Sequence, residues 1–239
     1  LDKEIFVDSS CEEDEFPVLL MDWIDGETME TYISENYQDN YAMAMLCYSF
    51  CKMAAWLRSL PFAHGDIKPD NIMVRPDGRL TLVDYDGMFV PAMKGQKSPT
   101  VGAKDFSHPL RTVDDFDETI DDFALSSIAL SLKAISLKPS LLDEYGGADR
   151  LLFSVEDYRD LSNSNVFVSL SELLGDTDLL LLYSMFNIAC VKKNLSFVSF
   201  RMFYIALPGN CWQEKIRFDD FKQVFIDEFG VKYGRNGLI

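Results

Sequence analysis

The residues best suited to chemistry lie in one short stretch of the chain. Residues 64–74 read His-Gly-Asp-Ile-Lys-Pro-Asp-Asn-Ile-Met-Val, which spaces Asp66, Lys68 and Asn71 at fixed offsets, and Asp84 follows the next apolar run. Oxygen ligands beside an ammonium suit a divalent metal with a polyphosphate, because Mg²⁺ takes few carboxylates and completes its shell with phosphates and water. A carboxylate placed to accept a proton from a hydroxyl would complete a phosphoryl-transfer set.

A hairpin is predicted to bring these side chains together. Residues 75–79 read Arg-Pro-Asp-Gly-Arg and precede the apolar run 80–83. Asp-Gly supplies the positive-φ position that a short hairpin needs. We therefore expect a loop, a strand, a two-residue turn and a second strand. This order would place Asp66, Asn71 and Asp84 at one end of the hairpin.

The order His-x-Asp-x-Lys-Pro-x-Asn, followed by Asp-Tyr-Asp-Gly at 84–87, resembles the catalytic loop and the Asp-Phe-Gly motif of protein kinases. The resemblance implies an α+β, protein-kinase-like fold with a mostly helical large lobe and a truncated small lobe. It implies that Asp66 is the catalytic base and that Lys68 steadies the transferring phosphate. Asn71 and Asp84 would bind magnesium. In this family Lys68 also favours a Ser/Thr acceptor over Tyr.

The resemblance extends upstream to a nucleotide pocket. Strands are predicted at 4–7 and 16–24, and the second of these is similar to the last small-lobe strand and hinge of a kinase. The ATP-binding residues that it implies are Met21 as gatekeeper, Asp22 and Ile24 through their backbone, Thr28 near the ribose, and Met73 as the floor under the adenine. Packing in an apolar core is the alternative for the two methionines, since a purine slot has the same apolar character.

Two residues are expected to support the loop without taking part in the chemistry. His64 opens the motif, and the resemblance implies that Asp121, at the start of a buried helix at 120–132, accepts hydrogen bonds from the loop backbone. An Asp favoured by the helix dipole would occupy the same place. A long helix predicted at 40–60 carries an apolar stripe and ends before Pro61. The resemblance implies that this helix supports the loop.

The sequence departs from the kinase pattern at three positions. Gly65 replaces the usual Arg, so activation through an Arg that grips a phosphorylated segment is not expected. Asp86 replaces the usual Gly, which weighs against a flip of this turn. Leu110 stands where the family closes its peptide-binding segment with Glu, so the buried Glu–Arg pair should be absent or replaced. Residues 88–106 would form the activation and peptide-binding segment, and His108 is a poor catalytic candidate.

Composition narrows the classes of partner. A chain of 239 residues that is 48% hydrophobic and 13% aromatic can bury a sizeable core. A net charge of −17 argues against nucleic acid and anionic membranes as partners. Basic peptides would be tolerated, although solubility alone also explains the charge. The i, i+4 spacing of Cys47 and Cys51 favours packing on a helix over zinc ligation, and only two histidines exclude a His-rich metal site. Five cysteines without a Cys-x-x-Cys pair favour reduced thiols and a cytoplasmic location.

The chain is expected to divide at the hinge. Residues 1–24 would be a remnant of the small lobe, 25–207 the large lobe, and 208–239 a C-terminal extension with one helix. Further helices are predicted at 28–36, 140–145, 155–161, 165–174, 177–191, 196–207 and 218–229. No signal peptide is recognised, and the longest apolar run is too short to span a bilayer.

Three functions remain open. The first is ATP- and Mg²⁺-dependent phosphoryl transfer to protein Ser/Thr hydroxyls. The second is a pseudokinase or protein-binding module without turnover, and the third is a small-molecule kinase. Residues 1–24 lack glycine, so the Gly-rich loop and the strand Lys of a kinase either lie upstream of these residues, which would then be a fragment, or are missing from the protein. Positioning of the phosphates supplies most of the catalysis in such enzymes, and we therefore expect these 239 residues alone to bind nucleotide weakly and turn over slowly. The oligomeric state stays open.

Overall fold

The computed structural model describes residues 22–147, 150–193 and 205. In this part of the chain a small antiparallel sheet accompanies a mostly helical body, which makes the fold α+β and compatible with a kinase large lobe. The strands are β1 (Glu27–Thr28), β2 (Ile72–Val74) and β3 (Leu80–Leu82), and the helices are α1 (Met29–Asn36), α2 (Asn40–Arg58), α3 (Asp122–Leu137), α4 (Ser140–Tyr145), α5 (Val155–Arg159), α6 (Asn165–Ser171) and α7 (Thr177–Lys192). None of the described helices is both long enough and apolar enough to cross a membrane.

The core is built on α2 and α3. Helix α2 begins where the Asp39 side chain accepts the backbone N–H groups of Tyr41 and Ala42, and its apolar stripe is buried. Helix α3 is buried along nearly its whole length, between α2 and α7. Arg58, in the last turn of α2, lies 2.7 Å from the carboxylate of Asp122 in the first turn of α3. Each charge complements the dipole of its own helix, so the pair fixes the two helix ends that lie beneath the site.

The hairpin forms as expected, with one correction. Strands β2 and β3 pair antiparallel, with Ile72 opposite Leu82. The connection has three residues between Arg75 and Arg79, and the N–H of Arg75 closes it by donating to the carbonyl of Arg79 at 2.9 Å. The prediction of a two-residue turn was therefore wrong. Gly78 takes φ +78° at the last turn position, which is the arrangement of a type I turn followed by a left-handed residue.

The predicted helix boundaries agree with the structure to within a turn in most cases. The helix predicted at 40–60 ends at Arg58, and the helix predicted at 120–132 starts at Asp122 and continues to Leu137. The described end of the predicted strand 16–24, residues 22–24, is irregular. The predicted strand 4–7, the helix 218–229 and all of the helix 196–207 except Ile205 lie outside the described residues, and the domain boundaries stay predictions.

Candidate functional site

Backbone contacts bring the loop of residues 64–71 and the turn of residues 84–87 to one place. The N–H of Val83 donates to the carbonyl of Asn71 at 3.0 Å. The Nε2 atom of His64 lies 2.9 Å from the carbonyl oxygen of Val83. Since Val83 directly precedes Asp84, the hairpin ends with these polar residues at the same edge, as the sequence predicts.

The Asp66 carboxylate is oriented by donors from two segments. Its Oδ1 accepts the backbone N–H of Ala103 at 2.9 Å. Its Oδ2 accepts Nδ2 of Asn71 at 3.2 Å and lies 3.5 Å from Nζ of Lys68. The side chains of Asp66 and Lys68 are both partly exposed. The arrangement therefore holds one carboxylate in a fixed orientation while leaving it within reach of a ligand from solvent.

Asn71 and Asp84 each have a side-chain oxygen that takes part in no hydrogen bond with the described residues. Asn71 is buried, and its Nδ2 donates to the backbone carbonyl of Asp66 at 2.9 Å. Its Oδ1 accepts no hydrogen bond from the described residues. Asp84 is exposed, and its carboxylate likewise has no partner in that part of the chain. Its backbone adopts the left-handed conformation, with φ 64° and ψ 70°. Such strain in a residue other than Gly is concentrated at functional sites.

Asp121 supports the loop from below. Its Oδ2 accepts the N–H of His64 at 2.5 Å, and its Oδ1 accepts the N–H of Gly65 at 2.8 Å. The side chain does not cap its own helix, so the loop, and not the helix terminus, takes up its acceptors. Burial raises the pKa of Asp121, while the two N–H groups and the nearby cation of Arg111 oppose that rise.

His64 connects the loop to the hairpin. The side chain is fully buried, and while Nε2 faces the Val83 carbonyl, Nδ1 lies 3.4 Å from the N–H of Asp66. A tautomer with hydrogen on Nε2 satisfies both contacts, because one nitrogen then donates and the other accepts. The ring of Tyr85 lies 5.1 Å from the imidazole, centroid to centroid. His64 therefore has a structural position at the junction of the two segments.

The residues predicted to bind the nucleotide are only partly brought together. Strand pairing places Thr28 opposite Met73, and Met73 is half-buried in the sheet. The hydroxyl of Thr28 caps α1 by accepting the N–H three residues later at 3.2 Å. Asp22 is exposed and Ile24 half-buried, both in irregular backbone. Met21 lies outside the described residues.

The structure gives physical reasons for two departures from the kinase pattern. Gly65 has φ +86°, and a Cβ at this position would lie 2.0 Å from the carbonyl oxygen of Gly87. No side chain fits there without moving one backbone away from the other. Leu110 is 67% exposed, so the position that holds a buried Glu in kinases faces solvent here. Asp86 is also exposed.

One residue at the site was missed by sequence reasoning. Arg111 reaches under the loop, where Nη1 donates to the carbonyl of Gly65 at 3.1 Å and Nη2 to that of Thr100 at 3.4 Å. Burial lowers the pKa of Arg111, and the neighbouring carboxylates, with Asp121 foremost, raise it. A single Arg after Pro-Leu has no spacing that predicts such a contact. Only the packing of the chain reveals it.

Comparison with known proteins gives short kinase matches. No protein-family model matches the chain. It is 30% identical over 67 residues to the Serine/threonine-protein kinase PAK mbt of Drosophila melanogaster, which covers 28% of this chain and 10% of that protein. It is also 30% identical over 80 residues to Sperm motility kinase 2A of Mus musculus, which covers 33% of this chain and 16% of that protein. These matches, together with the fold, indicate distant similarity to the kinase-like superfamily.

Proposed function

We propose that this chain belongs to a phosphotransferase that moves a phosphoryl group from ATP to a Ser or Thr hydroxyl of a protein. The observation that best supports the proposal is the setting of Asp66. Its carboxylate is held by an N–H, an amide and an ammonium, and it lies on the loop that packs directly against the turn carrying Asp84. A general base needs this combination of fixed orientation and access to solvent.

Asp66 would act as the base in this proposal. Its partly exposed carboxylate would accept the hydroxyl proton as the acceptor oxygen attacks phosphorus. Lys68, 3.5 Å from Oδ2 of Asp66, would donate to the oxygens of the transferring phosphoryl group and offset their charge. Both side chains come from one short loop, so the base and the cation keep a fixed separation. Positioning of this kind is the main source of rate in phosphoryl transfer.

Asn71 and Asp84 fit a magnesium site. Oδ1 of Asn71 and the carboxylate of Asp84 are hard oxygen donors without partners among the described residues, and the backbones of these two segments are joined through Val83. Within the same residues no three His, Cys, Asp or Glu side chains cluster as metal ligands. A two-ligand site suits Mg²⁺, which takes phosphate and water oxygens for the rest. Bound Mg²⁺ would neutralise charge on the nucleotide phosphates.

The nucleotide base would lie near the small sheet. Thr28 and Met73 face each other across β1 and β2, so a sugar and an adenine ring could contact neighbouring positions there. Asp22 and Ile24 would contribute backbone groups to the adenine edge, with Met21 preceding them. These assignments rest on the resemblance to kinases and on the strand pairing.

The test is magnesium-dependent ATP binding and phosphotransfer by the full-length protein, measured for three Asp→Asn variants. Asp84→Asn should weaken Mg²⁺-dependent nucleotide binding at least about tenfold. Asp66→Asn should keep that binding and lose about 10²- to 10⁴-fold in turnover, the usual contribution of a general base. Asp77→Asn, in the hairpin turn at the other end of β2 and β3, is the matched control and should leave both unchanged. Full turnover by Asp66→Asn would refute the assigned mechanism.

A protein-binding module without turnover is the second candidate. Leu110, Val101 and Val113 are exposed apolar residues in or beside the segment that would bind a peptide, and such a surface could bind a partner without chemistry. The same measurements of Mg²⁺-dependent ATP binding and phosphotransfer distinguish the two functions. A module of this kind would bind no Mg²⁺–ATP and would be insensitive to Asp84→Asn.

A further inference from the structure

The two peptide groups that flank Gly65 are held by opposite charges. Its N–H donates to the buried carboxylate of Asp121 at 2.8 Å, and its carbonyl accepts Nη1 of Arg111 at 3.1 Å. The same guanidinium donates through Nη2 to the carbonyl of Thr100 at 3.4 Å. Arg111 therefore joins two segments that are far apart in sequence, the 64–71 loop and the chain around residue 100. A planar guanidinium presents several N–H groups in fixed directions and is suited to such a double contact.

The contact lies directly behind Asp66. A Cβ built on Gly102 would lie 3.3 Å from Nη1 of Arg111, 3.3 Å from Oδ1 of Asp66 and 3.3 Å from the carbonyl oxygen of Gly65. These three groups therefore surround one glycine. The next residue, Ala103, donates its N–H to Asp66. When Arg111 holds the carbonyl of Thr100, it also fixes the short stretch that supplies this N–H.

Position 65 of the loop has no room for a cationic side chain. A side chain at Gly65 would overlap the backbone of Gly87, so the Arg that kinases carry at this position is sterically excluded. The charge that lies against the loop comes instead from Arg111, which is flanked by the carboxylates of Asp66, Asp115, Asp117 and Asp121. On its other side lies a cavity of about 150 Å³, into whose lining Lys193 also enters. Arg remains charged in proteins at neutral pH.

The segment offers no free hydroxyl for regulation by phosphate. Between residues 88 and 106 the hydroxyl-bearing side chains are Ser98 and Thr100. Ser98 is 5% exposed, and its Oγ donates to the carbonyl of Thr100 at 2.5 Å. Oγ1 of Thr100 accepts the N–H of Gly102 at 3.0 Å. A phosphate on Ser98 would remove the O–H that donates to Thr100, and one on Thr100 would crowd the oxygen that accepts from Gly102, so either would disturb contacts that order the segment.

We propose that Arg111 is a positioning residue, a built-in cation that holds residues 100–103 against the 64–71 loop and so orients Asp66 without phosphorylation of the segment. The inference rests on the proposed phosphotransferase function and deepens it. Arg111 takes the place of the absent loop Arg, but it binds backbone carbonyls and not a phosphate. The resulting enzyme would be active as synthesised.

The first experiment measures turnover and Mg²⁺–ATP affinity of the full-length protein with Arg111→Gln, Arg111→Lys and the control Arg79→Gln, which alters an exposed Arg in the hairpin turn. Arg111→Gln should lower kcat by about 10- to 100-fold, as expected for a misplaced base, and leave the KM for ATP within about twofold. Arg111→Lys should recover part of kcat, because an ammonium restores the charge but not the forked geometry. Arg79→Gln should match the unaltered protein. An unchanged kcat in Arg111→Gln would overturn the proposal.

The second experiment removes any phosphate from the protein with a phosphatase, confirmed by mass spectrometry. Turnover should stay within about twofold of the untreated protein. A loss of tenfold or more, restored by rephosphorylation of Ser98 or Thr100, would contradict a built-in cation.

Hydrogen exchange separates this inference from the proposed function. We call the contacts of Arg111 with the carbonyls of Gly65 and Thr100 the Arg111 clamp. In Arg111→Gln the amides of Gly65, Gly102 and Ala103 should exchange faster than in Arg79→Gln, because this clamp is lost. If the unaltered protein transferred no phosphate but this local effect appeared, the phosphotransferase assignment would fail and the clamp would stand. If the amides exchanged equally in both variants, the clamp itself would be refuted.

Discussion

The two segments that form the candidate site are built in opposite ways. In the 64–71 loop, His64 and Asn71 are buried, and the Asp66 carboxylate is held by donors on both oxygens. In the 84–87 turn, Asp84 is exposed, strained in the left-handed region and without a side-chain partner among the described residues. One segment is therefore ordered by hydrogen bonds to its functional side chain, whereas the other presents a carboxylate that the described part of the chain does not bind.

The difference indicates a division of labour. A base must be oriented before the acceptor arrives, because misplacement by about 1 Å can cost 10²-fold in rate. A metal-binding carboxylate needs only to be available, since the metal and its phosphate ligands complete the geometry. The support beneath the first segment, from Asp121 and Arg111, is what the second lacks. Substitutions at matched positions can test whether this contrast governs stability and activity.

The largest effect is expected where the two segments touch. Gly65→Ala would place a methyl group 2.0 Å from the carbonyl oxygen of Gly87 at φ +86°, and we expect the free energy of unfolding to fall by about 4 kcal/mol or more. Gly78→Ala is the matched control, because Gly78 has φ +78° but open space around it. That change should cost only the left-handed strain, about 1–2 kcal/mol. Urea unfolding measures both, and equal losses would mean that the close approach of the segments contributes nothing.

The second prediction compares one chemical change in the two segments. Asp121→Asn replaces one of two acceptors by an NH₂ group that faces the N–H donors of the loop, and should lower the free energy of unfolding by about 2–4 kcal/mol. Asp84→Asn should change it by no more than about 0.5 kcal/mol, because the carboxylate is exposed and makes no bond to the described residues. Chemical denaturation, followed with the same spectroscopic signal in both variants, measures the two free energies of unfolding. A large loss in Asp84→Asn would show that the turn is ordered by that carboxylate.

Local patterns made much of this architecture predictable. The apolar stripe of α2 and the Asp-Gly turn depend on residues close in sequence, and both elements are found where they were expected. The convergence of Asn71 with the residue before Asp84 follows from the hairpin alone. The length of the turn was wrong because Asp-Gly fixes a positive φ without fixing how many residues precede it.

Tertiary contacts account for what the sequence did not predict. Position 65 is a glycine because a side chain there would overlap the backbone of Gly87, which lies far along the chain. No local sequence pattern encodes such a steric overlap. The same holds for Arg111, whose two acceptors are backbone carbonyls that carry no residue identity. The chemical roles of Asp66, Lys68, Asn71 and Asp84 stay predictions, because geometry compatible with a reaction is not a measured rate.

The third prediction concerns pH and the underside of the loop. His108 is buried, Nε2 lies 2.6 Å from the carbonyl of Cys190, and Nδ1 accepts the N–H of Leu110. Burial lowers the pKa of His108 below its ordinary 6.5, and the charge of Lys193 adds to the shift. The bond to Cys190 and the carboxylate of Asp115 oppose it.

The unfolded chain therefore takes up a proton near pH 6.5, whereas the folded chain does so only at lower pH. Because the unfolded state binds more protons in that interval, the free energy of unfolding should fall as the pH drops below 6.5, by at most about 1.4 kcal/mol per pH unit from this group. His108→Gln keeps an N–H donor and removes the titration, so its stability should depend less on pH. Denaturation at about pH 7.5 and about pH 5.5 compares the two proteins, and equal slopes would assign the titration to another group.

The smallest effect should come from the other cation at the cavity beneath the loop. Lys193 pairs with Asp115 at 3.0 Å, and both side chains are about one-third exposed, 34% and 39%. Asp115 also accepts the N–H and hydroxyl of Thr112, so Lys193→Gln would leave no unpaired buried charge. We expect a loss below about 1 kcal/mol, which should disappear in about 1 M salt because exposed pairs are screened. Arg111→Gln should lose more and respond less to salt, since its acceptors are neutral backbone carbonyls and not an exposed carboxylate. If the two losses and salt responses were alike, solvent would screen the contacts of Arg111 as much as the Lys193 pair. Arg111 would then not be the residue that keeps Asp66 oriented.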